Sequence, residues 1–260
     1  MNATLAPLVR RRDPDRFLTA LFAPPEKRAL LFVLFAFNHE LARIREVASE
    51  STLVLIRLQW WREVIDGACR AHEVARPLAE ALAMRRLWRE DLHAIIDARE
   101  IEAEPEIANL ADWRAYMFAG AGGVAVAAAR VLDAPEPELM RPAGAAYGVA
   151  GLLRSASLLA ARGRCLLPAD LLAREGASVA RAIGEPASPQ VQAVAAQLVS
   201  EARSWLLGWD GARVPRQSIA AALPAVFARR DLARWPRLAS FPRGIGDKLA
   251  VTIAGLRGRV

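Results

Sequence analysis

The sequence predicts an all-α fold organised as one domain, and three observations carry that prediction. Apolar residues recur at spacings of three and four, as in Leu55, Leu58, Trp61 and Ile65, which places them on one helical face. Prolines punctuate the chain at helix-length intervals, at Pro105, Pro135, Pro168, Pro186, Pro215 and Pro236. Alternating β-branched runs, the mark of half-buried strands, are missing. At 260 residues the chain is long enough to bury a substantial core without disulfides or metals.

Residues 1–12 are expected to form a flexible N-terminus of a single domain spanning 1–260. Asp13-Pro14 opens a short helix, with aspartate as N-cap and proline in the first turn, and this helix ends near Pro24-Pro25. Pro25 opens a longer helix reaching about Ala48. Its centre, 29–37, is apolar on all sides, as in a helix that runs through an interior. Ser51 is expected to cap a third helix and Gly67 to end it. Further helices are expected at 77–86, 87–103, 110–132, 136–161, 189–208, 217–230 and 244–258. The segment 176–190, with Gly176, Gly184, Pro186 and Pro189, reads as a loop inside the domain.

Composition narrows the function classes. The net charge is +7, but the basic residues are almost all arginine and are spread along the chain without a stripe. No nucleic-acid partner is therefore expected, while a basic surface favours anionic membranes or acidic partners. Cys69 and Cys165 lack metal-ligand spacing and read as reduced, small buried core residues of a cytosolic-type compartment. The first residues carry Arg10, Arg11, Arg12 and Asp13 where the apolar core of an export signal would sit, so a cytoplasmic location is expected. The longest uncharged run, 115–129, is short and glycine-rich for a bilayer span and reads as a buried helix packed through small residues.

Few residues announce chemistry. There is no nucleophile elbow, no phosphate-cradling glycine loop and no zinc pattern. Asp97, Glu100 and Glu104 share a helical face, with Glu102 and Glu106 nearby. A solvated acidic face, or pairing with the many arginines, is the expectation there, ahead of a metal site. His72 and His93 have no partner histidine at ligand spacing and read as surface or boundary residues. The tryptophans are expected in core or groove packing, except that Trp205 and Trp209 make an i,i+4 patch suited to a partner or membrane contact.

Several blocks in order carry a family likeness. They are Ala23-Pro24-Pro25-Glu26-Lys27-Arg28; Phe35-Ala36-Phe37-Asn38-His39-Glu40-Leu41-Ala42-Arg43-Ile44-Arg45-Glu46; and Arg57-Leu58-Gln59-Trp60-Trp61-Arg62. They continue with Asp97-Ala98-Arg99-Glu100, Tyr116-Met117-Phe118-Ala119-Gly120-Ala121-Gly122, Gly148 through Arg154-Ser155 to Leu159, and Arg162-Gly163-Arg164-Cys165-Leu166-Leu167-Pro168. Together, over roughly 15–176, they resemble the squalene/phytoene synthase family. The resemblance implies an isoprenoid-synthase-type helical bundle around a central cavity.

In that family, two helices supply acids that hold magnesium against a prenyl diphosphate. A diphosphate leaves only when its charge is neutralised, and magnesium takes hard oxygen ligands for that task. The matching positions here are Ala42, Arg43 and Glu46 on the first helix, and Ser155 and Leu159 on the second. Only Glu46 is acidic, so no metal is expected. The resemblance also places Asn38, His39, Arg43, Glu46, Tyr116 and Arg154 in a residual pocket. Arg43–Glu46 reads equally as an ordinary i,i+3 pair, and Arg154 as a partner of backbone carbonyls or of Glu46.

The Asn38-His39-Glu40-Leu41-Ala42-Arg43 stretch resembles the family branch with eroded aspartates that acts in assembly of respiratory complex I. This implies a catalytically degenerate protein, a pseudoenzyme with complex I subunits or assembly factors as partners. Its expected place is the inner face of the inner membrane, or the organellar matrix in a eukaryote. One alternative is a prenyl transferase joining two prenyl diphosphates head-to-head, using Mg2+ held by Glu40, Glu46 and Asp97. Another is an isoprenoid or lipid carrier that uses the cavity without chemistry.

Overall fold

The computed structural model describes residues 5–48, 50–237 and 243–260. Among them there is no strand, only two isolated bridges, Ile107 with Pro168 and Arg213 with Arg259. The chain begins with α1 (Ala6–Arg12), α2 (Pro14–Ala20), α3 (Pro25–Val47) and α4 (Ser51–Asp66). It continues with α5 (Ala75–Ala83), α6 (Arg89–Ala98), α7 (Leu110–Ala119), α8 (Ala121–Val131) and α9 (Arg141–Ala161). Then come α10 (Ala169–Arg174), α11 (Val179–Gly184), α12 (Pro189–Trp205), α13 (Ile219–Ala222), α14 (Pro224–Ala233) and α15 (Ile245–Arg257).

The expected starts and stops at Asp13, Pro25 and Gly67 are observed, each for a visible reason. The Asp13 carboxylate accepts the Arg16 N–H at 3.1 Å and caps α2. Pro25 stands in the first turn of α3, where its missing N–H costs nothing. Gly67 takes φ 114°, a left-handed conformation that stops α4.

Other expectations need correction. The flexible N-terminus is not observed from residue 5 onward: α1 is helical, with Leu5, Leu8 and Val9 buried, while 1–4 lie outside the described residues. Ser51 is the first residue of α4 and Glu50 the N-cap; the Ser51 hydroxyl instead donates to the Ala103 carbonyl. The helix expected at 87–103 tightens after Ala98 into a 3-10 turn, Glu100–Ala103, and 110–132 breaks at Gly120. The 217–230 helix breaks before Pro224, which cannot donate to the preceding turn. The 176–190 loop holds α11, capped by Ser178, and α10 precedes it.

The core centres on α9, which packs against α8, α12 and α14, while α3 lies against α8. The contact of α8 with α9 depends on glycines. A Cβ on Gly148 would sit 2.5 Å from the Ala121 Cβ, and one on Gly144 would sit 2.5 Å from the Ala125 Cβ. The run 115–129 is thus a buried small-residue seam, as its composition predicts. With the 3-10 turn before it, α9 forms the segment Pro137–Ala161. It is the one helix among the described residues long and apolar enough to cross a membrane, and 56% of its most apolar window is buried. One hydrophobic cluster runs from Leu5 to Val260, with Phe37, Trp113 and Phe227 fully enclosed. Each such ring contributes about 1.5–3 kcal/mol by leaving water.

Candidate functional site

A cavity of about 360 Å3 opens between α2, α3, α7 and α9. Asn38, Ala42 and Glu46 stand at i, i+4 and i+8 on α3 and face it together, with His39 beside them. Tyr116 enters from α7, and Arg154, Ser155 and Leu159 from α9. Arg43 is the exception among the expected pocket residues. It lies outside the lining and pairs with Glu40 at 3.2 Å, because one residue's rotation from Ala42 turns it off the cavity face.

The expected pairings also change. Glu46 does not meet Arg43; it accepts from Arg162 Nη1 at 2.8 Å, across the cavity mouth. Arg154 lines the cavity, but its neighbouring carboxylates are not Glu46. It lies 3.4 Å from Asp231 and 3.7 Å from Asp15. Those two carboxylates belong to a buried network in which Arg243 donates to both Asp231 oxygens at 2.8 Å and to Asp15 at 2.6 Å. Tyr147 donates to Asp15 at 3.2 Å. Burial opposes the Arg243 charge, yet the bonds to Asp231 and Asp15 raise its pKa above the ordinary value. The network thus ties α2, α9 and α14 together under the cavity.

A second buried group was not legible as a site. Glu102, expected on a solvated acidic face or in pairing with arginines, takes the second course and is only 6% exposed. The 3-10 turn rotates it inward, where it accepts from Arg99 Nη1 at 2.6 Å, Tyr116 Oη at 2.7 Å and Arg164 Nη2 at 2.8 Å. Burial works against its ionised form, but the charges and bonds of Arg99 and Arg164 hold its pKa below the usual value. Burial, and then the Glu102 charge, push the Tyr116 hydroxyl well above its ordinary pKa, so it stays a donor. Asn38 joins through Arg99 Nη2 at 3.5 Å. The rest of the acidic run behaves as expected of surface groups: Asp97 and Glu100 both accept from Arg62 at 2.6 Å.

His39 is half-buried, and its Nε2 has no hydrogen-bond partner among the described residues. Burial lowers its pKa, so the imidazole is neutral near pH 7. The cavity charge therefore comes from Arg12, Arg16, Arg99, Arg154, Arg162 and Arg164 against Asp13, Glu46 and Glu102, six positive groups to three negative.

Outside the cavity, the Trp205–Trp209 patch does not form as expected. α12 ends at Trp205, so the two residues are not helical neighbours, and Trp205 packs on Phe118 at 4.8 Å and on Trp113 at 6.0 Å. The cysteines are not core residues either. Cys69 is exposed in the turn after Gly67, and Cys165 is half-buried, its thiol pushed up chiefly by burial. His93 bonds Asp66 at 2.9 Å and His72 accepts the Val74 N–H, the surface and boundary roles expected of them.

The family model for squalene/phytoene synthase matches residues 9–238. The chain belongs to the squalene/phytoene synthase family. Curated relatives include NADH dehydrogenase (ubiquinone) complex I, assembly factor 6, of Bos taurus, 31% identical over 179 residues, covering 66% of this chain and 54% of that protein. The Rattus norvegicus protein of the same name is 26% identical over 229 residues, covering 84% and 69%. The chain spans about half the length of the first of these relatives. Among solved structures, a dehydrosqualene synthase superposes with TM-score 0.76 at 14% identity, covering 98% of this chain and 95% of that one. A squalene synthase from Alicyclobacillus acidocaldarius gives TM-score 0.68 at 19% identity, covering 90% and 92%. These likenesses establish the all-α isoprenoid-synthase fold.

The family's magnesium does not fit this donor set. Ala42 and Leu159 offer no oxygen, Ser155 offers a neutral hydroxyl, and Arg43 is a cation turned away from the cavity. The one carboxylate at these positions, Glu46, is held by Arg162. No group of three or more His, Cys, Asp or Glu with metal-holding geometry exists among the described residues. Glu40, Glu46 and Asp97, the replacement set a transferase would need, are not brought together: each pairs with a different arginine, Arg43, Arg162 and Arg62.

Proposed function

We propose that this chain is a catalytically degenerate squalene/phytoene synthase family protein that serves as an assembly or scaffold factor for respiratory complex I. Its partners are then complex I subunits or other assembly factors, met at the inner face of the inner membrane or, in a eukaryote, in the matrix. It works without magnesium. The observation that carries this reading is the pair of eroded motif faces, Ala42 with Glu46 and Ser155 with Leu159, whose remaining carboxylate is taken by Arg162. The names of the curated relatives supply the direction.

The test is deletion of the gene in its own cell, with complex I followed by native gel and by NADH–quinone activity. Loss of complex I alone, rescued by the chain carrying Glu46→Ala, is expected. In parallel, the purified chain is given magnesium with farnesyl or geranylgeranyl diphosphate. Magnesium-dependent release of diphosphate would overturn the reading in favour of a prenyl transferase.

A second reading, an isoprenoid or lipid carrier, is favoured by the twofold ratio of positive to negative groups in the cavity, which suits an anionic headgroup. Tight binding of a prenyl diphosphate without magnesium, together with intact complex I after deletion, would select it.

A further inference from the structure

We propose that α15 and the segment packed against its C-terminal end form a docking face for an anionic lipid bilayer. Four large apolar side chains of α15 are exposed: Ile245 at 78%, Leu249 at 54%, Ile253 at 46% and Leu256 at 66%. At 3.6 residues per turn they fall within one stripe about 80° wide. Scattered exposed leucines mean little, but a continuous apolar stripe along one helix marks a contact surface.

The opposite side of the helix is fixed, so the stripe cannot roll inward. Asp247 is buried and accepts from Arg230 at 2.6 Å and Arg234 at 2.9 Å. The backbone at Gly255 lies so close to the Phe22 ring that a Cβ there would sit 2.4 Å from it. Val251 is fully buried between them.

The exposed charged residues of α15 are basic. Exposed Lys248 flanks one side and exposed Arg257 the other. Arg257 also belongs to a groove of about 790 Å3, lined in addition by Arg213, Arg216 and Arg259, with no Asp or Glu in its wall. Backbone bonds from Val214 to Gly258 and from Val260 to Ala212, 3.0 and 3.1 Å long, hold the two arginine-bearing strands of chain together. A helix that presents leucine and isoleucine outward, rimmed by cations of one sign, matches the chemistry of an anionic leaflet, where acyl chains take the apolar side chains and phosphates take the arginines. A protein partner would need an acidic rim around an apolar groove.

The inference stands apart from the complex I reading, since its assay contains no complex I component. The full chain is sedimented with vesicles of phosphatidylcholine alone and of equal parts phosphatidylcholine and phosphatidylglycerol. Cosedimentation with the mixed vesicles only, weakened by salt, is expected. Leu249→Glu with Ile253→Glu should abolish it with an unchanged thermal transition, because both side chains are exposed. Each of Arg213→Gln, Arg216→Gln and Arg259→Gln should weaken it about fivefold, the factor for one basic side chain at an anionic surface. Arg76→Gln and Arg181→Gln, exposed arginines elsewhere, should leave it unchanged. Equal loss from those controls would reduce the effect to net charge and overturn the proposal. So would equal binding to neutral vesicles. Self-association in ultracentrifugation, removed by the α15 variant in a chain that ignores vesicles, would assign the face to a second copy instead.

Discussion

Removing the Glu102 carboxylate should be among the most damaging single changes in this protein. Glu102→Ala deletes the acceptor of three bonds, from Arg99, Tyr116 and Arg164, at 2.6–2.8 Å. It leaves two guanidinium groups whose side chains are only 16% and 15% exposed facing each other without a counter-charge. Breaking a buried ion pair from one side costs roughly 3–5 kcal/mol, mostly through the stranded partner. For a protein of this size each kcal/mol shifts the melting temperature by about 2–4 °C, so the expected fall is about 6–20 °C. Circular dichroism on heating, with a urea titration for the free energy, reads it directly. Tyr116→Phe removes a neutral hydroxyl that donates to Glu102 and accepts from Arg99 Nη1 at 3.3 Å, and should cost roughly 0.5–1.5 kcal/mol. In Glu102→Ala the same change should cost less, because its acceptor is gone and only the bond from Arg99 is left to lose. A Glu102→Ala melting temperature within measurement error of the parent would refute the reasoning and return Glu102 to the solvated acidic face that its sequence neighbours suggest.

Three further outcomes follow from the same geometry. Gly148→Val drives a branched side chain into Ala121, and overpacking of this kind should cost about 1–3 kcal/mol in urea titration. Stability should fall in acid: Glu102 and Asp247 bind protons more weakly in the folded chain, with Asp247 lowered to about 2, so their contribution is full above ordinary carboxylate values and is lost as pH drops through 4 toward 2. A denaturation midpoint flat across that window would contradict it. Glu46→Ala, by contrast, breaks a pair with both side chains near 45% exposed, and should change stability by no more than about 1 kcal/mol.

The fold was legible because its signals are local and repeated. Proline and glycine marked where helices start and stop, and the all-apolar 29–37 run announced an interior helix, which α3 is. What stayed hidden depends on small rotations and distant partners. A 3-10 turn of four residues decides whether Glu102 points to water or inward, and nothing in Glu100-Ile101-Glu102-Ala103-Glu104 distinguishes it from its acidic neighbours. Arg154 was placed in the cavity by likeness, but its carboxylates, Asp15 and Asp231, come from positions far away in sequence. Arg43 was placed in the pocket by likeness, but it stands one helical step, about 100°, from Ala42 and so faces away from the cavity that Asn38, Ala42 and Glu46 line. The α15 stripe could have been read from Ile245, Leu249, Ile253 and Leu256 at helical spacing; only the structure shows that it faces outward.

The charge arrangement in the cavity explains why erosion of the motifs need not empty the site of meaning. Where family relatives are expected to place carboxylates and let a divalent cation mediate, this chain offers six arginines against three acids with no mediator required. Restoring acids tests that argument. Ala42→Asp with Ser155→Asp and Leu159→Asp adds three carboxylates, matching the six arginines without exceeding them, while Glu46 stays bonded to Arg162. Magnesium titration should still register no binding. Adding Arg162→Ala frees Glu46 and leaves six acids against five arginines. Two i,i+4 acid pairs on α3 and α9 then face one cavity, and hard oxygen ligands on shared faces are what magnesium takes. Calorimetry should then detect binding in the quadruple variant alone. Magnesium binding by the parent chain, or by the triple variant as tightly as by the quadruple one, would show that the arginines are not what excludes the metal.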